Sequence, residues 1–252
     1  MSSQTGGLTR VYHILYIDIS DVLRPPGLDV LVVLLAMLGA ILVSIQPVTS
    51  PIIASRIALD PTLLATALFL AIRSSAGLAT LIQSGILNLY LTYPIHRVTV
   101  AVVLLVSRVV IPSALILATP LVTVLILLGS TLYRGLDVIL GMYLAFLLQA
   151  VLYGSVFLLV AVRVKSQATS GVLSVAAYFT YITLGLILTG IGGAMGSDVV
   201  RRVGEAMYLP EIAYYAYSNL DYEVWQLTLV PGLSILVILA YLTYMSRRFE
   251  VL

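Results

Sequence analysis

Residues 83–97 read QSGILNLYLTYPIHR, and they lie between two apolar runs, LLATALFLAIRSSAGLATLI at 63–82 and VTVAVVLLVSRVVIPSALILATPLV at 98–122. At about 1.5 Å of rise per residue, either run forms a helix of roughly 30 Å or more, the thickness of a bilayer's hydrocarbon core. A loop between two such spans needs only turn residues. Here Ile86, Leu87, Leu89, Tyr90 and Tyr93 instead recur at helical spacing, with Asn88, Thr92 and His96 on the opposite side. The spacing predicts a short helix lying at the membrane surface, available to a partner.

Outward from that stretch, the whole chain has the same character. Of its 252 residues, 61% are hydrophobic and 10% charged, and the mean hydropathy is +1.11. Those values lie far outside the soluble range and predict an all-α integral membrane protein. Six spans are expected, at 28–45, 63–82, 98–122, 136–162, 171–195 and 229–245. Residues 1–252 then form a single transmembrane domain with no room for a separate soluble one. Ahead of the first span, Leu8, Val11, Tyr12, Leu15, Ile19, Val22 and Leu23 recur at helical spacing. Residues 8–24 are therefore expected to form an interfacial amphipathic helix, ended by Arg24-Pro25-Pro26-Gly27. They lack the basic start, apolar core and small-residue cleavage site of a signal peptide.

An even number of spans puts both termini on one side. That side holds Arg10, Arg24, Arg97, Arg108, Arg163, Lys165, Arg247 and Arg248, against Arg56, Arg134, Arg201 and Arg202 on the other. The positive-inside rule then makes both termini, and residues 83–97, cytoplasmic in a multi-pass protein of the cell membrane. Within the third span, Pro112 and Pro120 each remove a backbone hydrogen bond and predict kinks. Small residues cluster at Ser74, Ser75, Ala76, Gly77 and Ala79, and at Gly185, Gly190, Gly192, Gly193 and Gly196, where backbones can approach closely. Arg73 falls near the middle of the second span, about 14 Å from Ile82. Facing lipid there would cost on the order of 2.5–3.5 kcal/mol, so a polar cavity with Ser74 and Ser75, an inter-helix hydrogen bond, or a span boundary displaced from 63–82 is expected.

Much chemistry is missing. Lys165 and Ser166 follow Val164, and Val160 stands where a phosphate loop would begin with glycine, so no backbone cradle for a nucleotide is present. His13 and His96 lie in different segments without a carboxylate cluster, and there is no cysteine. No catalytic residue and no metal site is therefore expected, nor any cofactor in this chain. Most carboxylates fall in loops or at interfaces, which argues against a buried acidic relay. The scattered basic residues form no stripe that would track nucleic acid.

Ser84-Gly85, a short Leu-rich helix and Pro94-Ile95-His96-Arg97, placed after the second of six spans, resemble the coupling segment of ABC type-2 transporter permeases. The resemblance extends to an interfacial N-terminal helix ending in Arg24-Pro25 and a long connection before the sixth span. Gln83 and Asn88 stand where that family often has acids. The resemblance implies the noncatalytic permease subunit of an ATP-driven exporter, paired with a second permease chain as a homodimer or heterodimer. A cytoplasmic ABC ATPase would bind ATP and magnesium. Ser84, Gly85, Leu87, Leu89, Tyr90, Pro94 and Arg97 would contact that motor, and Arg73, Ser74 and Ser75 could line the translocation path. The external connection at 196–228 carries Tyr208, Tyr214, Tyr215, Tyr217, Tyr222 and Trp225. These rings suit an interfacial aromatic belt. The resemblance implies instead a re-entrant or surface helical pair closing the outer mouth; separately, aromatic faces could stack on sugars or amphipathic substrates. A multi-pass scaffold that binds a cytoplasmic partner without moving substrate is the alternative reading. An enzyme acting on lipids is a third, disfavoured by the missing catalytic clusters.

Overall fold

Ser50 is extended and Pro51 follows in the first helical turn, where its missing N–H costs nothing. From there one continuous helix runs 33 residues to Gln83. It therefore begins well before residue 63, where hydropathy alone placed its start. Arg56 and Asp60 explain the difference, because they depress local hydropathy yet sit one turn apart and pair with each other.

A computed structural model of the chain describes residues 3–24, 27–45, 50–92, 96–129 and 135–248. Those residues are 92% helical, without strands. Helices α1 (Ser3–Val22) and α2 (Gly27–Ile45) come first. The 33-residue helix comprises α3 (Pro51–Phe69), a π-helical segment π1 (Leu70–Ser75) and α4 (Ala76–Gln83). After α5 (Ile86–Thr92) follow α6 (Arg97–Leu105), a second π-helical segment π2 (Val106–Val110) and α7 (Ile111–Leu128). The remainder is α8 (Leu136–Val164), α9 (Gln167–Met195), α10 (Asp198–Ala206), α11 (Leu209–Tyr217) and α12 (Val224–Arg248).

Five helices are long and apolar enough to cross a membrane: Pro51–Gln83, Arg97–Ile126, Leu136–Val164, Gln167–Met195 and Val224–Arg247. A sixth crossing would come from Gly27–Leu42 together with Val11–Val22, a pair bent by 63°.

Small residues let the helices touch. Ala54, Ala58, Ala67, Ala71 and Ala79 on the Pro51–Gln83 helix are all buried against its neighbours. Such close approach maximises dispersion contact where lipid offers no hydrophobic contrast. On α8, a Cβ at Gly154 would sit 2.3 Å from Val109 Cγ1, so only glycine admits that valine. On α9, a Cβ at Gly192 would lie 2.3 Å from the backbone nitrogen of Arg201, which lets α10 fold directly back along α9. Gly190 and Gly193 meet nothing within 4 Å. The α9 glycine cluster is thus divided, with Gly185 and Gly192 serving an interface inside the chain. Gly196 ends α9 in a left-handed conformation (φ +64°), and the next N–H, of Ser197, donates back to the Gly192 carbonyl at 2.9 Å.

The expected kink in the third span has a more specific form. Pro112 cannot donate to the carbonyl of Arg108, four residues back. That carbonyl accepts from the Ser74 hydroxyl instead. The π2 segment ends two residues before the proline, and π1 packs beside it. Two interrupted helices therefore share one hydrogen bond where each deviates from α geometry.

Candidate functional site

Gly85 (φ +75°) turns the chain after Gln83 in a backbone conformation that L side chains rarely adopt. Its carbonyl accepts from the Asn88 N–H at 3.0 Å, launching α5. Gln83, Ser84, Ile86 and Asn88 are exposed there. Leu87, expected among the partner-facing residues, is fully buried in the chain's own core, and Tyr90 is half-buried against it. The segment is amphipathic, but its apolar side holds α5 to the bundle. Its free surface is built around Ile86 and Asn88. The side chain of Leu89, and residues 93–95 with Pro94, lie outside the described residues. Arg97 is half-buried in the first turn of α6, and the His96 carbonyl before it accepts from Thr99 at 2.8 Å.

Near π1 and π2, a buried ion pair ties α1 to the bundle. Ile14, Asp18 and Val22 recur every fourth residue and form the buried stripe of α1, whereas Tyr12, which shares the apolar set read from sequence, is exposed. Asp18 is 1% exposed and Arg108 is wholly buried. The Asp18 carboxylate accepts from Arg108 Nε at 3.0 Å, from Arg108 Nη2 at 2.5 Å, and from the Ser107 hydroxyl. Asp21 approaches Arg108 Nη2 to 3.5 Å. Two expectations change here. Arg108 is an internal anchor, not a residue of a span end, and the chain does bury an acid in its interior.

Arg73, Ser74 and Ser75 diverge. Ser74 donates to Arg108, while Ser75 donates to the Phe157 carbonyl at 3.0 Å and meets the hydroxyls of Ser170 and Ser174 at 2.7 and 2.8 Å. Arg73 is exposed, its guanidinium beside Gly27, at the wall of a cavity of about 220 Å³ shared with Asp21 and Gly77. Consecutive residues on a helix point about 100° apart, so Arg73 faces outward as the serines knit helices together.

A tyrosine-lined cavity lies at the other end of the bundle, between α3, α8, α9 and the α10–α11 pair. It encloses about 400 Å³. Five tyrosines line it: Tyr153, Tyr178, Tyr181, Tyr208 and Tyr215. Three carboxylates, Asp60, Glu205 and Glu211, complete the polar lining. Tyr153 stands edge-on to Tyr178 and Tyr181, with ring centroids 5.0 and 5.6 Å away. The Tyr181 hydroxyl donates to the Met207 carbonyl and the Tyr208 hydroxyl to Asp60, both at 2.7 Å. Arg56 sits behind the lining, reaching Asp60 at 3.4 Å, pairing with Glu211, and covering the Tyr214 ring at 4.5 Å. Arg201 pairs with Glu205 at 2.7 Å. Gln149 fastens the α10–α11 corner to α8 by accepting from the Leu209 N–H at 3.0 Å and donating to the Met207 carbonyl at 3.4 Å. Burial and the neighbouring Asp60 hold the Tyr208 phenol well above its ordinary pKa. Burial, with Glu211 beside it, pushes Tyr215 up to about 12. Both therefore remain neutral donors at any physiological pH.

The Tyr153 hydroxyl is buried without a hydrogen-bond partner among the described residues. A buried orphan of that kind costs about 1–3 kcal/mol and points to something that joins it. Sequence reading attended to tyrosines in the 196–228 connection and passed over Tyr153, Tyr178 and Tyr181. Their signal was position, since tyrosines well inside spans lie away from the interfacial belt that otherwise accounts for them. Tyr178 and Tyr181 are also three apart and share a helix face. Among the described residues, no three histidines or carboxylates are placed to hold a metal ion. No protein-family model and no curated protein matches the chain.

Proposed function

We propose that this chain is the membrane-spanning, noncatalytic subunit of an ATP-driven exporter, moved by a separate cytoplasmic ATPase and working beside a second permease chain. The observation that carries the reading is α5, a seven-residue helix held between two membrane-length helices. Its buried Leu87 fixes it to the bundle, while Ile86 and Asn88 remain free. A helix attached at both ends and exposed between them can transmit a push. The push would enter helices interrupted at π1 and π2, which meet at the Ser74–Arg108 bond. Helices broken in this way have places at which to bend.

In this reading, Ser84, Gly85, Tyr90, Pro94 and Arg97 shape the contact, and Leu87 supports it from beneath. With the bent α1–α2 pair taken as the sixth crossing and Arg108 spent on Asp18, the basic-residue comparison becomes seven against four, still in favour of cytoplasmic termini. The α10–α11 pair then lies outside, over the tyrosine-lined cavity. Reconstitution with an ATPase encoded beside it tests the proposal. The chain should stimulate that ATPase, Ile86→Asp should abolish the stimulation, and the chain alone should hydrolyse nothing. Equal stimulation by wild type and Ile86→Asp would remove the reading's main support.

A further inference from the structure

The polar lining of the 400 Å³ cavity carries acids and phenols but no basic side chain. Three carboxylates face it, and the two arginines that pair with them, Arg56 and Arg201, stand behind the wall. Three negative charges against two positive ones leave at least one unneutralised. Arg201 also contacts Asp198 at 3.4 Å, which dilutes its compensation of Glu205. Tyrosine faces add the negative side of their quadrupoles to the same space. An anion would be repelled here.

A neutral sugar fits less well than a cation, because it would leave the unneutralised carboxylate charge unanswered. The hydroxyls of Tyr181 and Tyr208 are already committed, and no side-chain amide lines the cavity. Among the hydroxyls of the lining, that of Tyr153 is buried without a partner, and its oxygen has lone pairs to offer. Gln149, the nearby amide, accepts from Leu209 and donates one N–H to Met207.

We infer that this cavity binds a free amine in its protonated form, a compact molecule with an aromatic or alkyl body and at least one N–H on its ammonium group. The ammonium sits against the carboxylate side and over the rings, its N–H donating to the Tyr153 oxygen. The organic body occupies the apolar wall formed by Leu63, Ile182 and Leu186. The volume is that of an ordinary small-molecule site. An aminophospholipid is disfavoured, because its phosphate, two carbons from the ammonium, would enter the same negative field. As a transported substrate this amine rests on the exporter reading. As a ligand it does not.

The test uses the purified full-length chain in nonionic detergent, with no ATPase present, so failure of the coupling proposal leaves it intact. Naphthylethylammonium, its neutral alcohol analogue and its trimethylated form are compared by equilibrium dialysis. Saturable binding should be at least tenfold tighter for the primary ammonium than for the alcohol, with the trimethylated form between them. Tyr153→Phe keeps the ring and should weaken the primary ammonium about tenfold while leaving the trimethylated form unchanged, since only an N–H can use the lost oxygen. Repetition in nanodiscs should show the probe displaced by a soluble amine but not by ethanolamine-headed lipid. Absent saturable binding, equal binding of ammonium and alcohol, or an unaltered primary ammonium in Tyr153→Phe would overturn the inference. Displacement by the lipid would overturn its assignment to a free amine. The three-probe comparison in the unmodified chain decides the matter even if Tyr153→Phe folds badly.

Discussion

Asp18→Asn isolates the anchor that joins α1 to the bundle. The wild-type carboxylate accepts three hydrogen bonds, two from Arg108 and one from Ser107, in a site where Asp18 is 1% exposed and Arg108 is fully buried. Neutralising it strands the guanidinium. An unpaired buried charge costs about 3–5 kcal/mol, and Asp21, 3.5 Å from Nη2, places the expected loss near the lower end. About 3 kcal/mol is roughly a 150-fold change in the unfolding equilibrium. The assay is reversible denaturation in mixed micelles, with proteolysis of the 3–24 segment reporting whether α1 lifts first. Replacing both partners, Asp18→Leu with Arg108→Met, should recover most of the stability, because apolar residues of similar size carry no desolvation cost. A loss below about 1 kcal/mol in Asp18→Asn, or a double variant no better than the single, would refute the reasoning.

Leu87→Asp should unfold or strongly destabilise the protein even without any partner, because the side chain is wholly enclosed by its own bundle; thermal melting of the purified variant checks this. Gly154→Ala should cost about 1–3 kcal/mol in the same denaturation assay, since the new Cβ overlaps Val109 Cγ1 and α8 must move from π2. Stability should fall as pH rises above 10, the ordinary tyrosine value. Folded Tyr208 and Tyr215 keep protons that the unfolded chain releases, so unfolding is favoured as alkali is added. Tyr215→Phe should flatten that slope between pH 10 and about 12, measured by pH-jump denaturation.

Hydropathy and spacing made much of the architecture legible, for reasons visible in individual residues. The runs at 136–162 and 171–195 are uninterrupted and match α8 and α9 closely. The Pro51–Gln83 helix is longer than its hydropathy suggests, because an intrahelical ion pair looks polar one residue at a time and neutral as a pair. Arg108 misled in the opposite sense. A basic residue near a predicted span end resembles a topological marker, and only Asp18, 90 residues away in sequence, converts it into a buried anchor. The short helix after Gly85 was legible from period alone, but not which of its apolar residues turns inward. Leu87 and Ile86 are chemically alike, and tertiary packing separates them. The tyrosine-lined cavity needs five helices to converge, and no local pattern encodes that convergence.

The central claim is that α5 meets a cytoplasmic motor, and a single introduced cysteine tests it most directly because the chain has none of its own. With Asn88→Cys in cells co-expressing a candidate ABC ATPase, a short bifunctional reagent should join the two proteins. A membrane-impermeant thiol reagent added outside should not reach that position. The same reagent should label Ser218→Cys from outside, and that variant should give no cross-link to the ATPase. Labelling of Asn88→Cys from outside, or capture of the ATPase by Ser218→Cys in place of Asn88→Cys, would contradict the account.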